Sequence, residues 1–139
     1  YIERTAEYFC VEDGVVRVSD RFLRPKVEHY NYDYFSGLDY VIDLRRDVGA
    51  RVTSMRRNGR EIEPGDVLRV CLNSYRATGT GGYDMLSGLA VEREILTDVS
   101  ELILAYIERR GNVVVDKRRY LTVVSPSGEE QGRRNADAL

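Results

Sequence analysis

The 139-residue sequence holds one histidine, two cysteines and no tryptophan. Zinc and two-metal centres draw on several converging histidines and carboxylates, so this chain cannot supply a His-rich centre. His29 reads instead as a surface or hydrogen-bonded loop residue. Two cysteines set no disulfide framework. Cys71 sits within an apolar run and reads as a buried thiol, with a Cys10–Cys71 bridge as the less favoured alternative. No segment approaches ~20 consecutive apolar residues, which excludes a membrane-spanning helix of the usual kind. An excess of one charge is also lacking: 21 basic residues face 23 acidic ones, for a net charge of −2. A general nucleic-acid binder, or a binder of acidic membranes, needs a clustered positive field, so neither partner is expected. There is no initiator methionine and no visible leader. The chain opens at Tyr1 inside a helical pattern, so the expectation is a piece of a longer polypeptide, and the absent leader says nothing about export.

What is present suits one domain: 42% hydrophobic residues and a length that can bury a core. The chain is organised around Asn73-Ser74-Tyr75-Arg76-Ala77-Thr78-Gly79-Thr80-Gly81-Gly82-Tyr83. The preceding run, residues 67–72, reads as a buried strand. Three glycines in four residues mark a place where backbone comes close to something. Tyr75 and Arg76 offer a ring and a cation beside it, a combination that suits a flat polar ligand. The competing reading is a glycine-rich turn after a core strand, with Tyr75 packed. No Walker lysine follows the glycines and no G-x-G-x-x-G is present, so neither standard phosphate loop applies.

Along the chain, residues 1–9 read as the last turns of an amphipathic helix, closed by Gly14 after Glu12-Asp13. Val16 and Val18 suit a short strand, and Arg24-Pro25 discourages helix. Tyr30, Tyr32 and Tyr34 alternate toward one face and, with Phe35, read as core and rim aromatics; a base-stacking platform is the second reading. A strand is expected over 38–44, with Leu38, Tyr40, Ile42 and Leu44 on one face. Residues 48–57 form the next strand candidate, with a possible bulge where Val52 and Met55 break alternation. Asn58-Gly59 is the strongest hairpin signal, followed by a short strand over 60–63 and a turn at Pro64-Gly65-Asp66. Arg45, Arg46, Arg51, Arg56, Arg57 and Arg60 are interleaved with acids and read as a solvated, salt-bridged face. Asp98 with Glu101 forms a capping-box pattern, and Val99, Leu102, Ile103, Tyr106 and Ile107 give the stripe of a core-facing helix. Gly111 suits its C-terminal cap. Val113-Val114-Val115 reads as a short extended piece and 120–124 as a final strand. The order predicts an α+β fold with a mainly antiparallel mixed sheet. Residues 1–124 are expected to form the domain and 125–139 a flexible tail.

Two blocks carry a resemblance. The Asn73–Tyr83 stretch, and Tyr30-Asn31-Tyr32-Asp33-Tyr34-Phe35-Ser36-Gly37-Leu38-Asp39-Tyr40-Val41-Ile42-Asp43 with a hairpin between them, resemble the 5′-nucleotidase C-terminal domain family. The flavour is similar to the bacterial 2′,3′-cyclic-nucleotide 2′-phosphodiesterase/3′-nucleotidase branch, where Asn-x-Tyr-Arg-Ala is usual. The resemblance implies the substrate-gripping half of a two-domain phosphohydrolase. Its partners would be a nucleotide or nucleoside and an N-terminal metallophosphoesterase domain. That domain would hold divalent metals; no cofactor is expected in this chain. It also implies a periplasmic, secreted or cell-wall-associated location. By likeness, Asp33 ties its turn together by hydrogen bonds.

In this family two aromatics sandwich the base. The second falls at Tyr75; the first is expected upstream of Tyr1. One ring stacked on one base is worth ~1–3 kcal/mol, so this chain alone is expected to bind nucleosides in roughly the millimolar range or weaker. The implied substrate-binding set is Tyr75, Asn73, Arg76, Gly79, Gly81 and Gly82, with no catalytic or metal-binding residue here. The 5′-nucleotidase branch carries an Asp that holds ribose hydroxyls, at the place where this chain has Gly81. An Asp would repel a phosphate at the 2′ or 3′ position, which favours the cyclic-phosphodiesterase branch. The reading from another class is a non-enzymatic binding or protein-interaction module using the tyrosine cluster.

Overall fold

A computed structural model describes residues 1–131 of the chain. They divide into two compact units: Tyr1–Arg69 with the chain from Arg119 onward, and Val70–Arg118 between them.

The first unit is built on a five-stranded sheet. In chain order its elements are α1 (Ile2–Ala6), β1 (Phe9–Glu12), β2 (Val15–Val18), β3 (Asp39–Asp43), β4 (Val52–Arg57), β5 (Arg60–Glu61), β6 (Leu121–Val124) and β7 (Glu130–Gln131). The strand order is β5-β4-β3-β6-β7, and β1-β2 form a separate hairpin. Only β3 and β6 run parallel; every other pair is antiparallel. With its helices this is the α+β mixed sheet expected from sequence.

Alternation along β3 puts Tyr40 and Ile42 on one face. Both are buried, and they meet Leu44 and the α1 residues Ile2 and Ala6, which lie one helical turn apart. Burial pushes the Tyr40 phenol well above its ordinary range, partly offset by the Phe35 N–H, which donates to its oxygen at 3.3 Å. The bulge in β4 falls at Thr53: Val41 faces Ser54 while Ile42 faces Val52. Asn58 and Gly59 both have positive φ, 53° and 79°, which gives the hairpin turn the twist its strands need.

α1 is held to β4 reciprocally. The Glu3 carboxylate accepts the N–H groups of Arg51 (3.1 Å) and Val52 (2.7 Å). The buried Arg51 guanidinium donates to the carbonyls of Ala6 (3.0 Å), the last residue of the helix, and Phe9 (2.6 Å), the first of β1. Arg51 was expected on a solvated face; it is inside because helix-end carbonyls need donors. The other arginines fit the expectation better. Arg45 and Arg46 bridge Asp43, Arg56 bridges Glu61 and Arg60 bridges Asp66. Asp43 is buried, and the Arg45 side chain grips both its oxygens at 2.8 and 2.7 Å. That grip holds its pKa at about 2, against a burial effect that acts upward.

Several sequence expectations fail here. α1 stops at Ala6, short of the expected Phe9, and residues 9–12 form a strand that pairs with β2 across the Asp13-Gly14 turn. Residues 125–131 are not a loose tail: a turn returns the chain so that β7 pairs with β6. Residues 132–139 of that expected tail lie outside the described residues.

The second unit contains α2 (Ser74–Ala77) and α3 (Val99–Arg110), and no strand among its described residues. The run 67–72, which crosses from the first unit into the second, makes no ladder, and Val67 is 94% exposed. The expected buried strand before the glycines is therefore absent. Cys71 is exposed, and both cysteines are free thiols. α3 has the expected bounds and Gly111 closes it with φ +68°, but Asp98 makes no side-chain cap. None of its residues is buried, so the apolar stripe does not face a core. Residues 113–115 are likewise exposed and unladdered.

Candidate functional site

The site stretch folds upon itself. Asn73 caps α2: its Oδ1 accepts the Arg76 N–H at 2.8 Å, which satisfies one of the orphan donors of a helix start. This one-turn helix carries Tyr75 on its outside. The phenol ring is 43% exposed, so it is not sealed in an interior. Arg76 is buried. Its Nη1 donates to the Thr80 carbonyl at 2.7 Å, and its guanidinium lies over the Tyr83 ring at 4.0 Å. The cation that the sequence put beside the ring lies 5.5 Å from the Tyr75 ring centre, but it is buried.

The glycines shape the return of the loop. Gly79, Gly81 and Gly82 have φ of +83°, +82° and +80°, the left-handed region that glycine occupies without a Cβ clash. At Gly79 a Cβ would meet Asp84 Cα at 3.2 Å and Ser87 Cβ and the Tyr83 carbonyl at 3.3 Å. The close approach inferred from the three glycines is thus made by the loop's own next turn. Two amides are also spent inside it: Gly79 N–H donates to Arg76 O and Tyr83 N–H to Gly79 O. The Thr78 hydroxyl donates to Tyr75 O at 2.9 Å, locking the exit of α2. Tyr83 and Leu86, both buried, form the small floor of this turn. Sequence reasoning treated Tyr83 as the end of a motif. Its aromatic spacing from Arg76, with three glycines between, is the signal that could have paired them.

The tyrosine cluster belongs to the first unit, where Tyr30 and Tyr34 are exposed and Tyr32 is half-buried. Tyr32 packs on Tyr8 (4.7 Å between ring centres) and Phe9 (5.6 Å), while the Tyr34 hydroxyl accepts the Tyr120 N–H at 3.0 Å. Asp33 accepts the Tyr1 hydroxyl at 2.6 Å. His29 lies 2.7 Å from the Tyr8 hydroxyl through Nδ1. A cavity of about 370 Å³ lies in the same unit, between the hairpin tip at Arg57 and Asn58 and the segment Asp66 to Leu68. It holds none of the expected site residues.

Comparison with known proteins gives this geometry its context. The profile of the family "5′-nucleotidase, C-terminal domain" matches residues 16–88, which takes in both the tyrosine block and the glycine loop. The chain belongs to the 5′-nucleotidase C-terminal domain family. A curated relative, the trifunctional nucleotide phosphoesterase protein YfkN of Bacillus subtilis (strain 168), is 26% identical over 117 residues. That match takes in 70% of this chain and 8% of YfkN. A solved structure from Staphylococcus aureus, described as a candidate 5′-nucleotidase in complex with α-ketoglutarate, is 36% identical. It superposes with a TM-score of 0.77 over 88% of this chain and 24% of its own. The chain therefore spans under a quarter of either relative's length. Among the described residues no three His, Cys, Asp or Glu side chains converge to hold a metal ion. No helix among them is long and apolar enough to cross a membrane.

Proposed function

We propose that this chain is the nucleotide-recognition part of a hydrolase of phosphate esters, with Tyr75 as the ring on which the base stacks. The observation that carries the reading is the half-exposed phenol at the start of α2, beside the glycine turn, inside the region matched by the 5′-nucleotidase family. An accessible ring held by a capped helix gives a base an apolar face. In this reading the substrate is a nucleotide. Gly81, at the place of the ribose-binding Asp, favours a 2′,3′-cyclic nucleotide or 3′-nucleotide over a 5′-nucleotide. Asn73 and the glycines contribute by holding the turn in shape, with Gly81 and Gly82 at the ligand edge.

The chemistry belongs to another part of the parent polypeptide, where divalent metals activate water, and the parent acts outside the cytoplasm. The chain by itself is then inactive. In the full-length parent, Tyr75→Ala is expected to raise KM for 2′,3′-cyclic AMP roughly tenfold to a hundredfold. The same substitution tested on 5′-AMP separates the two branches, since the preferred substrate loses more. Unchanged KM values for both would refute the stacking role.

A further inference from the structure

Three side chains of the second unit grade from inside to outside. Tyr83 is fully buried, Arg76 is 5% exposed and Tyr75 is 43% exposed. The Arg76 guanidinium carbon lies 4.0 Å from the Tyr83 ring centre and 5.5 Å from that of Tyr75, over both rings. Its Nη1 is tied to the Thr80 carbonyl, and its backbone N–H to the Asn73 cap. A guanidinium is planar and weakly hydrated, so it stacks on aromatic faces where an ammonium would retain water. Cation–ring attraction also strengthens where solvent is excluded.

We propose that Arg76 is the positioning residue of the site. Its guanidinium backs one face of Tyr75, couples that ring to buried Tyr83 and to the glycine turn, and so presents the opposite face as a fixed platform. The ligand side of this inference rests on the base-stacking reading above; the positioning side does not. A phenol fixed before binding loses less rotamer freedom on contact with a base. Lysine cannot replace the arginine in this role, because it lacks the plane that lies on the rings.

The test uses the whole chain, uniformly isotope-labelled and followed by NMR, with adenosine as the probe. Tyr75 is assigned through Tyr75→Phe. In Arg76→Met the Tyr75 ring signals are expected to move to the positions of a freely rotating tyrosine, while Leu86 and the β3 residues keep theirs. Arg76→Lys should do the same despite its charge. Adenosine affinity should fall roughly tenfold in both variants. If Arg76→Met also disperses the Leu86 signals, Arg76→Lys decides. Tyr75 signals unchanged in Arg76→Lys, with Leu86 in place, would overturn the proposal, as would full rescue of adenosine affinity by lysine. If the ring is released in the variants but adenosine perturbs no Tyr75 signal in the wild type, positioning stands and base stacking falls.

Discussion

At the scale of single residues, Asp43 shows how a side chain read as surface decoration becomes part of the frame. Its carboxylate is buried at the end of β3 and held by Arg45 through both oxygens. The pKa drops from 3.8 to about 2, so folding favours the ionised form. The stabilisation is complete above about pH 4 and is lost as pH falls through about 2. Arg45 is half-exposed, so solvent screens the pair and the contribution is about 1–2 kcal/mol rather than more. In urea melts, Asp43→Asn is expected to be less stable than wild type by that amount at pH 6, with the gap closing toward pH 2. A gap that does not change with pH would show that the carboxylate charge is not involved. The interleaving of arginines with acids, and the salt-bridged face it implies, was legible in the sequence. The exception, Arg51, was not legible: its partners are backbone carbonyls of Ala6 and Phe9, and carbonyls leave no mark in a residue string.

At the scale of elements, periodicity found the segments better than it found their surroundings. β3, β4, β5 and β6 fall where alternation and the Asn58-Gly59 turn put them, because a half-buried strand writes its pairing into every second residue. β1 was missed, and its first residue, Phe9, was read as the end of a helix: Phe9-Cys10-Val11-Glu12 is too short to separate the two periods. α3 was found with its bounds, yet its stripe is open, and the apolar run 67–72 joins no sheet. Pattern records what a face is fit to cover, not whether anything covers it. Two substitutions measure the difference. Ile42→Ala, at a fully buried position, is expected to cost about 2–5 kcal/mol. Ile103→Glu, on the open face of α3 at 55% exposure, is expected to stay within about 0.5 kcal/mol. A large loss at Ile103 in chemical denaturation would mean that α3 is packed after all.

At the scale of the whole molecule, order is unevenly spread. β3 has hydrogen-bonded neighbours on both sides and a buried face, whereas the second unit buries little beyond Arg76, Gly79, Tyr83 and Leu86. Native-state hydrogen exchange should therefore be slowest at Tyr40 to Asp43, and faster by orders of magnitude along α3. Equal protection in the two places would contradict the exposure of the helix.

The candidate site is legible to the extent that its own residues define it. Tyr75 and the glycine turn could be seen in the string; the capping role of Asn73 was not read there. The burial of Arg76 could not be seen, because it depends on Tyr83 folding back beneath it.

The parallel pairing of β3 with β6 carries a consequence for biosynthesis. β4 follows β3 after a short connection, but the other neighbour of β3 is made about eighty residues later. At elongation speeds of ~5–20 residues per second, that interval is roughly 4–16 s. Throughout it, the nascent sheet displays one open flank of unpaired amides and carbonyls, the kind of flank to which stray strands attach. α2, which bears Tyr75, is translated during this wait, so its ring emerges before the sheet of the first unit has closed.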